Sequence, residues 1–466
     1  MGRKKSALPS SYTIIFSVIV FIAILTQFIS GIKAATLANV LSAPILGFGK
    51  GVKVILFILI IGGFIKIVNS TKVLENGISL VVQKLKGREI FIIPLVMFLI
   101  SLGGTTYGMA EETLALYPIL LGTFLLCGYD ILTGLATILC GVICGVSGST
   151  INPFSISTAI DAFTGSSGVA INQALIIMMG GFVWLSSFVI CSIYVMNYAK
   201  KVQKNPQLSL MSEGEKKIGW EEYGNTEAVN RKIELGEHGK STLLLFGLSF
   251  LIMVIALIPW KVYGIKFFVG WSSLLTGKAL GDWGFNDLSV WFLVMAVIIA
   301  KVNGLKEKEI VKNFLAGAAE MISVAMILGV SRGVAGIMAA TGFDKYLLKV
   351  GMSALSGVPS SIFAAGSYLL YSGFTFLIPS TSGLATATIP TMAGLANSLG
   401  FRPEVMISIY IGAHFMVGII PTSGVVMGSL SISHIEFGTW LKFFIKPFAL
   451  IAVINMVFFS IMLSVL

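Results

Sequence analysis

Two adjacent carboxylates, Glu111 and Glu112, stand in the stretch GGTTYGMAEETLALYP, Gly103 to Pro118, whose surroundings are apolar enough for a membrane interior. An ionised group at bilayer depth costs about 2.5 kcal/mol or more on insertion scales, so it marks function or a partner. Being consecutive, the two glutamates point about 100° apart on a helix. One is expected to face a ligand while the other caps the returning helix or pairs with a base. The base at hand is Arg332 in ILGVSRGVAG, whose guanidinium, once buried, requires a carboxylate, either a substrate's or one of these glutamates. Glu320 reads as a residue at the edge of its span, Asp161 as a solvated loop residue, and His414, in IYIGAHFMVG, as a hydrogen-bonded packing histidine with a proton relay as its other role.

Around these charges, Gly, Pro, Ser, Thr and Asn collect at four places inside apolar sequence: residues 103–113, 145–155, 378–386 and 419–424. Unwound backbone at membrane depth is tolerated only where protein buries it or where it lines a cavity. The four breaks are therefore expected to converge near the midplane, where exposed helix N-termini favour anions and unwound carbonyls and hydroxyls favour cations. The candidate substrate-binding residues are Thr105, Thr106, Glu111, Glu112, Ser149, Thr150, Asn152, Arg332, Ser380, Thr381, Ser382, Thr422 and Ser423. Free N–H groups after the motifs SGST, PSTSG and PTSG suit a carboxylate.

The elements that must position them are membrane spans. Of 466 residues 56% are hydrophobic and 11% charged, and runs long enough to cross a bilayer begin at residues 13–31 and recur to the end. That first run is too long for a signal-peptide core, so it is read as a span despite Arg3, Lys4 and Lys5 before it. The net charge of +11 comes mostly from Lys and Arg in short segments beside apolar runs, where they set topology, and no basic and aromatic constellation suits a nucleic acid. Cys127, Cys140, Cys144 and Cys191 lie in or beside apolar sequence without the second ligand pair of a zinc site, and are read as core residues. The three histidines, His238, His414 and His434, are far apart, which argues against a metal-dependent intramembrane hydrolase; no metal, cofactor or enzymatic activity is expected.

The chain also reads twice. PILLGTFLLCGY from Pro118 aligns without gaps on PTMAGLANSLGF from Pro390, and the same shift carries span 13–31 onto 285–303, residues 52–69 onto 324–341 and an amphipathic piece at 72–86 onto 344–358. The domain reading is a first repeat at 1–198 (hairpin 90–126, broken helix 131–163), a cytoplasmic linker at 199–240, an extra span at 241–259, and a second repeat at 285–466 (hairpin 362–398, broken helix 404–437). With basic residues facing the cytoplasm (Lys72, Lys84, Lys86, Arg88, Lys200, Lys201, Lys301, Lys306, Lys442), the N-terminus lies inside and the C-terminus outside. The odd extra span turns the second half over. The fold class is thus an all-α polytopic membrane protein of about nine crossing helices and two re-entrant hairpins in two inverted-topology repeats, a transporter signature.

GMAEETLALYP, GSTINPFS and IIPTSGVVMGSL followed by GTWLKF make the chain resemble the YfcC family, close to the anaerobic four-carbon dicarboxylate carriers of the ion-transporter superfamily. The resemblance covers nearly the whole chain. It implies a homodimer in a bacterial inner membrane, with a scaffold and a moving transport domain working as an elevator, and arginine/ornithine exchange in some members. On that reading the substrate's α-amino and α-carboxylate groups sit on the broken-helix ends while Glu111 or Glu112 holds its cationic side chain. GAHF at 412–415 and Glu320 depart from the family pattern, which has acidic residues there, aspartate in the second case. The alternative is a sodium- or proton-coupled carrier of four-carbon dicarboxylates, with Ser149, Thr150, Asn152 and Ser423 on substrate oxygens, Arg332 countering a carboxylate and the glutamates serving the coupling ion.

Overall fold

The fold is described from a computed structural model covering residues 11–73, 88–224, 238–258 and 260–466. Arg3, Lys4, Lys5, Lys84 and Lys86, and most of the amphipathic piece at 72–86, fall outside the described residues.

Local chemistry sets the element ends. Thr36 and Asn39 form a reciprocal capping box at the start of a 34-residue helix, Leu37–Ser70 (α2), which follows the shorter α1, Ser11–Leu25. Ile92–Tyr107 (α3) stops at Gly108, which takes the left-handed conformation at φ 85°. A 3-10 turn at Glu111–Leu116 then leads into Tyr117–Leu126 (α4), and Asp130 caps Ile131–Ser147 (α5) by accepting from the Thr133 amide. After a break come a π-turn at Pro153–Ser157, Thr158–Ser167 (α6) and Gln173–Lys204 (α7). The linker is not featureless: α7 runs on past 198, and Ser212 and Glu215 make a capping box for Glu213–Tyr223 (α8). Gly239–Leu257 (α9) is the extra span.

The second half runs Phe285–Val302 (α10), Glu307–Glu320 (α11), Ile322–Thr341 (α12), Phe343–Leu355 (α13), Ser360–Leu377 (α14), Thr381–Ser398 (α15), Pro403–Ala413 (α16), a 3-10 turn at His414–Ile419, Gly424–Ile432 (α17) and Phe437–Val465 (α18). Eight helical stretches among the described residues are long and apolar enough to cross a membrane. The continuous α2 has no continuous counterpart, because the second half breaks at Met321 between α11 and α12.

Two packed groups result. α2 packs along α10, α11 and α12, with α1 against α12 and α9 against α10. The other group joins α3, α5 and α7 to α14, α16 and α18, with α15 packed on α6 and α16. Glycines permit the closest approaches: a Cβ on Gly104 would come 2.8 Å from the Gly145 Cα, binding α3 to α5. The two groups meet where α17 packs on α12 and the Glu111–Leu116 turn packs on α2. The two broken helices lie antiparallel. Glu404 at the start of α16 accepts from the Asn172 amide just after α6, while α8 bridges the start of α5 (Gly219 against Ile131) to the end of α17 (Tyr223 Oη to the Ile432 carbonyl, 2.6 Å).

Candidate functional site

At the junction of the two groups lies a cavity of about 180 Å³. One water takes up about 10–15 Å³ of such space, so the cavity has room for a small metabolite. All four breaks contribute: Gly108, Ala110 and Glu111; Asn152 and Phe154; Pro379 to Ser382; and His414, Ser423 and Gly424. Leu328, Ser331, Arg332 and Ala335 of α12, with Phe285 at the start of α10, form the wall from the first group.

Of the thirteen residues singled out in the sequence, Glu111, Asn152, Arg332, Ser380, Thr381, Ser382 and Ser423 line this cavity. The other six do not, and their hydrogen bonds explain why. Thr105 is buried and donates to the Gly148 carbonyl at 2.6 Å, and Thr150 returns a bond from its amide to the Thr105 carbonyl at 2.9 Å and another from its hydroxyl at 3.2 Å. Thr106 donates back to the Leu102 carbonyl and Ser149 to the Val146 carbonyl, both within their own helix turns. The Thr422 hydroxyl donates to the Phe376 carbonyl at 2.6 Å. Glu112 is turned away from the cavity, only 2% exposed, with Oε2 accepting from the Ala110 amide at 2.9 Å. It ties the tip of its own hairpin.

Asn152 packs against the turn that precedes Glu111 and orders its own loop. Its Nδ2 donates to Ser149 Oγ and its Oδ1 accepts from the Phe154 amide. A Cβ on Gly108 would stand 2.7 Å from Asn152 Nδ2, so both the left-handed φ and the contact require glycine. On the opposite side Ser380 and Ser423 cap α15 and α17, accepting from the Gly383 and Val426 amides, so two helix N-termini point their partial positive charge at the cavity.

Charge on the cavity wall is of both signs. Arg332 Nη2 lies 3.7 Å from Glu111 Oε1, with Nη1 donating to the Lys50 carbonyl at 3.4 Å. Gly51 leaves room for the arginine stem, since a Cβ there would come 3.1 Å from its Cδ. His414 is 4% exposed and lines the cavity, but its Nδ1 has no hydrogen-bond partner, unlike the bonded packing histidine expected from sequence. Glu320 pairs with Lys66 at the surface, and Asp161 is exposed. The four cysteines are free and buried. Sequence reasoning missed Glu404, a carboxylate 3% exposed at the start of α16. As an acid in a first helical turn it looks like an ordinary terminal residue, and its burial is decided by Asn172, remote in the chain.

The sequence pattern of the C4-dicarboxylate anaerobic carrier (DcuC) family matches residues 37–464. An uncharacterised protein of Haemophilus influenzae is 32% identical over 84% of this chain and 72% of its own length. The putative basic amino acid antiporter YfcC of Escherichia coli is 28% identical over 85% of this chain and 74% of its own. Among solved structures, the YdaH transporter of Alcanivorax borkumensis aligns with 97% of this chain and 98% of its own at 14% identity and a TM-score of 0.47. MtrF of Neisseria gonorrhoeae, described as representing a class of antimetabolite efflux pumps, aligns with 99% and 96% at 18% identity and 0.45.

Proposed function

Because the chain belongs to the C4-dicarboxylate anaerobic carrier (DcuC) family and is a multi-pass membrane transporter, we propose that it exchanges basic amino acids, arginine against ornithine being the leading pair. The observation that carries this reading is the charge at the junction cavity. Glu111 and Arg332 meet on its wall, 3.7 Å apart, while Glu112 lies buried behind the tip, so the wall offers a carboxylate and a guanidinium side by side. A ligand with a carboxylate at one end and a cation at the other matches both groups. Its α-carboxylate suits Arg332 and the capped N-termini at Ser380 and Ser423, and its side-chain cation suits Glu111. The similarity to a putative basic amino acid antiporter supports the same substrate class.

Arg332 and the two helix N-termini also favour a second reading, a sodium- or proton-coupled carrier of four-carbon dicarboxylates. Glu111 on the same wall weighs against it, because a dianion would bring like charges together.

For the transport cycle we propose two inverted repeats in a bacterial inner membrane, the N-terminus cytoplasmic and the C-terminus outside, in a homodimer. The α3–α7 and α14–α18 group would slide as an elevator against the α2 and α10–α12 group. The antiparallel broken helices and the two-group packing support this.

The test is uptake of labelled arginine into proteoliposomes preloaded with ornithine, lysine, succinate or nothing. Internal ornithine or lysine is expected to accelerate entry several-fold over empty vesicles. Equal entry into all four, together with succinate uptake driven by a sodium or proton gradient, would replace this reading with the dicarboxylate one.

A further inference from the structure

The Arg332–Glu111 contact fills the ground a ligand must take. Both side chains keep contact with open space, 29% and 19% exposed, and at 3.7 Å the pair is longer than the roughly 2.7–2.9 Å of a well-made charge-assisted hydrogen bond. It is a loose pairing that another ion can replace. It is also placed to tie the molecule together: Arg332 belongs to α12 of the first group and Glu111 to the hairpin tip of the second. Of the ion pairs between described residues, this one alone joins the two groups; Lys66–Glu320, Lys261–Asp282 and Lys278–Asp287 stay within the first, and His434–Glu222 holds the linker helix.

We propose that this pair is an internal stand-in for the substrate, holding the empty carrier shut and yielding only to a ligand that bears both a cation and a carboxylate. The proposal rests on the exchange reading above. A zwitterionic ligand enters between the partners, its cation taking Glu111 as its carboxylate takes Arg332, so neither charge is left bare at any stage. A decarboxylated amine would release Arg332 with nothing to pair it, and a dicarboxylate would strand Glu111. An ionised group left without a partner at membrane depth is unfavourable, so both ligand types are rejected for opposite reasons. The empty carrier, with its two groups joined by the pair, does not cross back alone, and transport is obliged to be exchange.

The experiment compares labelled arginine entry into empty and ornithine-loaded proteoliposomes for the wild type, Arg332→Gln and Arg332→Lys. The expected result is a low empty-to-loaded ratio in the wild type and in Arg332→Lys, and a ratio several-fold higher in Arg332→Gln whatever its absolute rate. A second readout needs no transport. Ser323 of α12 and Ser431 of α17 face each other across the two groups, Oγ to Oγ at 3.1 Å, so S323C/S431C reports their approach by disulfide formation. Cross-linking should be fast without ligand, slowed several-fold by arginine but not by agmatine or succinate, and slow throughout in the Arg332→Gln background. If the wild type exchanges arginine while Arg332→Gln keeps the wild-type ratio, or if cross-linking ignores both arginine and the Arg332→Gln change, the stand-in role is overturned and exchange survives. If the wild type exchanges no basic amino acid, both proposals fall together.

Discussion

In the first half of the chain the hairpin turns through left-handed Gly108 into a 3-10 segment bearing Glu111 and Glu112; in the second, α14 ends at Leu377 and Ser380 caps an 18-residue helix at once. Both tips reach the same cavity. Both are fastened to the neighbouring break by a threonine hydroxyl, Thr150 to the Thr105 carbonyl and Thr422 to the Phe376 carbonyl, and these two threonines lie 272 positions apart, the same shift that relates Pro118 to Pro390. What the halves share is a way of holding backbone open in an apolar surrounding. Where they differ is charge: the positions matching Glu111 and Glu112 are Gly383 and Leu384, so one tip offers a carboxylate and the other a helix N-terminus. A ligand with unlike ends is what two such tips can grip from opposite sides.

The comparison breaks most easily at Glu111. Glu111→Gln leaves Arg332 without its carboxylate and removes the charge-assisted bond proposed for the substrate's cation, worth about 1.5–3 kcal/mol. Arginine transport is expected to fall by roughly thirty-fold or more, measured as counterflow in proteoliposomes. Glu112→Gln should fall by less, because its carbonyl oxygen still accepts from the Ala110 amide; a larger loss at Glu112 than at Glu111 would reverse their roles. Next is Gly108→Ala, which meets both the left-handed backbone and the Asn152 amide, with a destabilisation of about 1–3 kcal/mol. Thermal unfolding in detergent checks it, and Gly383→Ala, with no neighbour closer than 3.4 Å and an ordinary helical backbone, should do much less. The smallest effect is the most symmetric. Thr150→Val and Thr422→Val each remove a donated hydroxyl-to-carbonyl bond, a net loss of about 0.5–1.5 kcal/mol; Thr150 also loses a long bond accepted from the Thr105 hydroxyl, which keeps the Gly148 carbonyl as its partner, so similar shifts in melting temperature are expected for the two. A clear inequality would show that the threonines do different work.

Much of this was legible in the sequence because glycine, proline and hydroxyl residues announce broken helices wherever they interrupt apolar runs. The helix interruptions at all four places follow from that pattern. Arg332 and Glu111 stood out because charge in apolar sequence demands a partner. The sequence did not reveal which polar residues face inward. Thr105, Ser149 and Thr150 have the same chemistry as Ser380 and Ser423, but the close approach of α3 to α5 at Gly104 and Gly145 puts the Thr105 and Thr150 hydroxyls onto backbone carbonyls across the two segments, and Ser149 bonds back within its own turn. Glu111 and Glu112 likewise part company through the turn that follows Gly108, which no helical spacing rule describes. The break at Met321 and the docked helix in the linker were hidden for a related reason, since both depend on packing against distant segments.

That docked helix has a consequence for how the chain is made. Glu215, 5% exposed, accepts from the Ser212 amide with one oxygen and from the Glu436 amide with the other, so half of its coordination arrives 221 residues after it leaves the ribosome. The Asn172–Glu404 bond at the far end of the molecule closes over 232 residues. At synthesis rates of about 5–20 residues per second, these partners wait roughly 10–50 s for each other. Throughout that interval Glu215 and Asn172 lack their second-half partners, and the linker helix has only its first-half surface around Ile131 to lie on. These contacts therefore close only once the second half is made, and truncations before Glu436 should leave a product more open to proteolysis along the linker.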